Sequence, residues 1–341
     1  MHIGRTLSTL LLIAGAICPA ALAQNYKVSG SIQIGGTGGW DYLTADSENR
    51  RLYVSHGTEV VVVDLDSHKP VGHITGMSRI HGVAVADDLG TGFISDGGTN
   101  QVIFFNLKTL ALEKKVKTGT HPDGIVYDPA SKRVFSFNGG SNDATAIDVT
   151  TGEVAGTLKL GGRPEFPVSD GKGSLYANIE DKSEIVRIGS KGLSIEAHWP
   201  LAPCESPSGL AIDVQNRRLF SVCDNKMMAI VDADTGKIVA TPAIGEGPDA
   251  AAYDPRTKLA FSSNGESGTL TAVRQTGPND YSVLGNVPTA DGARTMALDE
   301  KTHKIYLATA SFGPAAPAST SNPHPRPLIL PGTFKILIVS E

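Results

Sequence analysis

One side chain per repeat, at seven equivalent positions, gathers most of the groups in this sequence that could do chemistry together. Counting back five residues from an acid that recurs at the end of a short apolar strand gives Asp41, His81, Asp123, Glu165, Ser208, Asp249 and Arg294. Four carboxylates converging on one place raise one another's pKa unless a positive charge offsets them. Arg294 supplies a fixed charge and His81 a second when protonated, leaving a deficit that a divalent ion or a cationic ligand would fill. The ends of the strands that follow add His56, Asp96, Asn138, Glu180, Asp224 and Asn264. His56 and His81 fall in neighbouring repeats, and with Asp41 and Asp123 they are the candidate metal ligands, either histidine also serving as a general base. The plainer reading is that these are turn residues, since Asp before Gly often bonds its own backbone.

Standard catalytic signatures are missing. There is no phosphate-binding glycine loop leading into a helix, no histidine pair at helical zinc spacing and no nucleophile elbow. Gly35-Gly36-Thr37-Gly38-Gly39 lacks the strand-to-helix context of a nucleotide loop and reads as a link. Asp148 and Asp232 read as tight turns rather than calcium loops. No residue is therefore assigned a catalytic role.

The elements that position the ring come from a period near forty residues. The strand-ending acid recurs at Asp46, Asp128, Asp170, Asp213, Asp254 and Asp299, with Ala86 beside Asp87 in the second copy. An aromatic recurs in the next strand at Tyr53, Phe93, Phe135, Tyr176, Phe220 and Tyr306, with Ala260 beside Phe261 in the sixth. Each copy reads as four short strands separated by turns such as Asn138-Gly139-Gly140 and Thr151-Gly152. Such strands cannot bury both faces alone, so the copies must stack about an axis and the ring must close to hide its edges. The fold predicted is all-β, a seven-bladed β-propeller. The last copy supplies three strands, ending with 334–340, while 26–34 is a strand without a blade. That N-terminal strand is expected to complete blade seven. Antiparallel pairing then puts the start of each innermost strand and the end of the second on one face, the mouth of the axial channel.

The chain opens with Arg5, an apolar run from Leu7 to Ile17 and Ala21-Leu22-Ala23, the pattern of a secretory signal peptide. Cleavage near Ala23 would leave 24–341 as a single propeller domain, periplasmic or secreted, and no later apolar stretch suggests a membrane span. In an oxidising compartment Cys204 and Cys223 are expected to form a disulfide, with Cys223 beside Gly209 in the blade-five hairpin. A proline-rich insertion, 310–332, interrupts blade seven between its second and third strands and should open onto the mouth, as a lid or a partner-docking loop. With 30 Lys and Arg against 35 Asp and Glu, and no basic run, nucleic acid is disfavoured as a partner.

Arg51-Leu52-Tyr53-Val54-Ser55, Pro122-Asp123-Gly124-Ile125 and Asp232-Ala233-Asp234-Thr235-Gly236-Lys237 resemble the YVTN-repeat, YncE-like propellers. The resemblance spans nearly all of 24–341 and implies fold and export, but little chemistry. The Asp-Thr-Gly-Lys turn is also similar to quinoprotein dehydrogenase repeats, whose docking tryptophan is missing here, so pyrroloquinoline quinone is not expected. The expectation is an exported binding or interaction scaffold that holds a small polar molecule, a metal ion or a periplasmic protein partner at its mouth. The alternative is a metal-assisted, lactonase-like hydrolase or lyase with an axial ion.

Overall fold

A computed structural model describes residues 25–315 and 327–341. The expected signal peptide, 1–23, and the middle of the proline-rich insertion lie outside the described residues. Among those described, seven four-stranded antiparallel sheets stand as blades in a ring. Blade one shows the plan: Trp40–Asp46 innermost, then Arg51–His56, Glu59–Asp64 and Lys69–Ile74 at the rim. No helix among them is long and apolar enough to cross a membrane.

The middle strands are apolar on both faces because each blade is sandwiched between two others. Val60 to Val63 form such a run and are all buried. The rim strand of blade four, Ser194–Pro200, alternates exposed and half-buried positions, as a strand covered on one face must. The cores lie between blades: Tyr53, Val60 and Val62 of blade one pack with Ile94, Ile103 and Phe105 of blade two.

The strand-ending acid works as a turn device. Asp46 accepts the Asn49 N–H at 2.8 Å, Asp128 that of Ser131 at 3.0 Å and Asp213 that of Asn216 at 3.1 Å. Each of these side chains replaces a backbone partner that the tight turn cannot supply. Four residues after the acid the chain turns left-handed at Arg50, Lys132, Arg217, Lys258 and His303, with φ between 52° and 60°.

Ring closure follows the expected route. Lys27–Gln33 pairs antiparallel with Lys335–Ser340, completing blade seven outside Met296–Asp299 and Lys304–Thr309. Ile32 is buried in the core shared by blades one and seven. The Cys204–Cys223 disulfide is formed, with Cα atoms 5.7 Å apart. Its register differs from expectation: Cys223 stands opposite Pro207, not Gly209, because a bulge between Pro207 and Leu210 shifts the pairing.

Candidate functional site

The innermost strands bulge where the ring residues stand. Pairing with the second strand slips between Trp40 and Leu43, Ile80 and Val83, Pro122 and Ile125, Pro164 and Pro167, Pro207 and Leu210, and Pro248 and Ala250. A bulge leaves its extra residue out of the ladder and re-aims the side chain. Asp41, His81, Asp123, Glu165, Ser208 and Asp249 each fall inside one, and Arg294 precedes the short innermost strand of blade seven. The preceding blade then fixes the backbone. Ser55 donates to the His81 carbonyl, Ser95 to that of Asp123 at 2.5 Å, Asn178 to that of Ser208 at 2.9 Å and Ser263 to that of Arg294.

Three ring residues come together. His81 Nδ1 lies 2.6 Å from Asp41 Oδ2 and 3.5 Å from Asp123 Oδ1, and one donor atom from each of the three falls within 4.8 Å of the others. The imidazole is the more enclosed partner, at 12% side-chain exposure against 30% and 28% for the two carboxylates. Burial opposes a charge on His81, but the hydrogen bond to Asp41 and the negative charge of Asp123 outweigh it and raise its pKa. Burial, then the charge of Asp41, push Asp123 up to about 6, with His81 pulling the other way.

Glu165 is pushed up to about 9, first by burial and then by the charges of Asp123 and Glu180, with which it also shares a hydrogen bond. Glu180 is in turn ion-paired to Arg163. Arg294 Nε stands 3.9 Å from Asp249 Oδ2, and Ser208 Oγ donates to the Pro248 carbonyl at 3.1 Å. The channel beneath is crossed by Tyr42 of blade one and Phe166 of blade four, whose rings lie 4.3 Å apart. The Tyr42 hydroxyl is buried and has no hydrogen-bond partner among the described residues. Burial, then the charges of Asp123, Glu165, Asp41 and Asp249, raise its pKa well above the usual phenol value.

Other candidates lie apart from this cluster. His56 stacks on Phe334 at 4.5 Å, under Gly36, where an added Cβ would come within 2.7 Å of its ring. Its nearest acid is Glu59, at 3.9 Å, and burial lowers its pKa. Asn138 donates to Asp143 and Thr145, and Asn264 to Thr269 and Thr271, so both are consumed by their own blades. Asp96 accepts the Ser78 N–H at 3.3 Å. Asp224 lines the mouth with Glu180.

A cavity of about 1280 Å³ opens at this face, bordered by Asp41, His81, Glu180, Ser208, Asp249 and Arg294. The described ends of the proline-rich insertion border it too. Phe312–Ala315 and Pro327–Ile329 form a two-stranded hairpin, and Phe312 packs against Trp40 with centroids 6.2 Å apart.

No protein-family model matches the chain, and no curated protein sequence does. Solved structures do match it. A chain of the mitotic checkpoint complex superposes with a TM-score of 0.76 at 12% identity, over 99% of both chains. The WD40 repeats of RRP9 give 0.75 at 9% identity, over 93% of this chain and 98% of theirs. Hydrazine synthase from Kuenenia stuttgartiensis gives 0.68 at 16% identity, over 87% of this chain and 95% of its own. The chain is a seven-bladed β-propeller. At these identities the likeness is one of fold, and any function must be argued from the mouth itself.

One residue taken from each innermost strand leaves out Tyr42 and Phe166. The signal was present. The position after each ring residue is small in five copies, Gly82, Gly124, Gly209, Ala250 and Thr295, and aromatic in the other two.

Proposed function

We propose that the protein is an exported binding propeller whose mouth takes a small ligand bearing positive charge. The observation that carries this is the convergence of Asp41 and Asp123 on the single Nδ1 of His81, with Glu165 and Asp249 close enough to act electrostatically on the same site. At neutral pH Glu165 keeps its proton, and the charges of Asp41, Asp123 and Asp249 are met by His81, Arg79 and Arg294. A cation entering at His81 Nδ1 would take over the part of the ring proton between Asp41 and Asp123. The ring is rigid because neighbouring blades hold its backbone, so the ligand meets a preformed surface and little is lost to ordering.

Thermal denaturation with a panel of small cations tests the reading. The panel is putrescine, choline, calcium, manganese and zinc, each at increasing concentration. A ligand at about a hundredfold its dissociation constant stabilises by on the order of 2.7 kcal/mol, visible as a raised Tm. The Asp123→Asn, Glu165→Gln double variant keeps the shape and removes the Asp123 charge with the acid beside it, so its shift should be smaller. Equal shifts in both proteins, or none with any cation, would overturn the proposal.

The second reading is a metal-assisted hydrolase or lyase. It is supported by a histidine lying between two carboxylates at the edge of a large cavity, since an ion there would polarise a carbonyl. Turnover of a lactone and ester panel that is abolished in His81→Gln would support it, and no turnover would leave binding alone.

A further inference from the structure

The mouth contains one place where the donors are already spaced for a single ion. We infer that Asp41, Asp123 and His81 bind a transition-series divalent cation, zinc or manganese in preference to calcium or magnesium, above a floor formed by Tyr42 and Phe166. The inference rests on the cation-binding reading of the mouth but names the ligand and its three donors.

Donors bonded to one ion at about 2.0–2.2 Å stand about 3–3.5 Å apart. The separations from His81 Nδ1, 2.6 Å to Asp41 Oδ2 and 3.5 Å to Asp123 Oδ1, bracket that range, so an ion fits with small side-chain movements. Both carboxylates face Nδ1, where a bound ion would take the place of a ring proton. Two carboxylates and an imidazole suit zinc or manganese, whereas calcium takes six to eight oxygens at longer distance. Asp41 and His81 border the cavity, which leaves the remaining coordination positions open to solvent or ligand.

Tyr42 is the independent observation. A buried hydroxyl without a partner is costly, and a bond to a bound ligand or its water would relieve that cost. This hydroxyl is close enough to the same carboxylates to feel their charge, and Phe166 packs against its ring. In the inferred site it bonds an oxygen in the hydration shell of the ion.

Isothermal titration of chelator-treated protein with zinc chloride and manganese chloride, with calcium chloride as the control, tests the inference, together with the visible absorption of the cobalt-loaded protein. One ion should bind per chain, and affinity should fall about tenfold or more in His81→Gln and in Asp123→Asn, with the cobalt bands altered in both. Tyr42→Phe should weaken binding less and leave the stoichiometry at one. Two exposed pairs, His73 with Glu59 at 3.0 Å and His198 with Glu184 at 2.7 Å, are the rival sites. Binding that survives in His81→Gln but falls in His73→Gln or His198→Gln would overturn the inference, as would calcium binding as tightly as zinc. Circular dichroism confirms that each variant is folded. Stabilisation by putrescine or choline without any metal binding would overturn it while leaving the cation-binding mouth in place.

Discussion

The rings of Tyr42 and Phe166 meet at 4.3 Å, tilted by 41°, although they belong to blades one and four, which face each other across the axis. Neighbouring blades are joined by hydrogen bonds and shared cores; this contact instead braces the ring across its diameter. Full burial of a Phe is worth about 3–5 kcal/mol against Ala, and Phe166 is only partly buried, so Phe166→Ala should cost about 1–2 kcal/mol in urea denaturation. No measurable loss would show that the ring pair fills the channel without bracing it.

Glu165 gives a pH-dependent prediction. Its carboxyl titrates at about 9 in the folded protein against an ordinary 4.5, so above 4.5 the unfolded chain releases a proton that the folded one keeps. The stability it contributes is complete below 4.5 and is lost as pH rises toward 9. Glu165→Gln cannot ionise, so it should match wild type near pH 5 and exceed it at pH 8 by at least about 1 kcal/mol, the value of a single pKa unit. A difference that does not vary with pH would mean that Glu165 is ionised throughout.

The disulfide makes a third. Cys204 and Cys223 are both buried, and they hold the approach segment of blade five, with Ser206 and Ser208, against the mouth. Cys204→Ser with Cys223→Ser should lower stability by about 2–4 kcal/mol. The test is guanidinium denaturation of the variant beside oxidised wild type, and coincident curves would refute it.

Much of the fold could be read from the sequence because two independent registers, the strand-ending acid and the following aromatic, repeat in phase. Both report on local events: Asp46 closes its own turn, and Tyr53 fills the gap beside its own blade. The partners between blades were not legible, since nothing in the spacing says that Ser95 reaches the Asp123 carbonyl. His56 shows the same limit. Its place at a strand end was correct, yet its side chain faces Phe334 rather than the mouth, because pairing opposite Trp40 turns it into the seam with blade seven. Asp41, His81 and Asp123 came together because a bulge recurs at the same point in each blade and repeats their orientation.

The far face carries a second set of links between blades, and it yields the sharpest stability test. The residue that turns left-handed four positions after the acid reaches back to the acid of the preceding blade. Arg50 bonds both Asp299 oxygens at 2.9 Å, Arg217 bonds Asp170 at 2.9 Å, and His303 lies 2.9 Å from Asp254. Arg50 also bonds Asp66 at 3.0 Å, so it anchors blade one to blade seven at the seam where the ring closes. The Asp299 side chain is fully buried. Burial alone would raise its pKa, but the hydrogen bonds from Thr302, Ser47 and Arg50 prevail and hold it below the usual value. Its stabilising contribution is therefore present above about pH 4 and lost as pH falls below that. Arg50→Ala strands a buried carboxylate and should cost about 3–5 kcal/mol near pH 7. Arg50→Lys should recover only part, because a single ammonium cannot reach Asp299 and Asp66 from separate nitrogens as Nη1 and Nε do. Adding Asp299→Asn to Arg50→Ala should restore stability relative to Arg50→Ala alone, since the uncompensated charge is gone. Additive losses in that double-mutant cycle would show that the two side chains act independently and that the seam is held by the clasp strand and its buried Ile32.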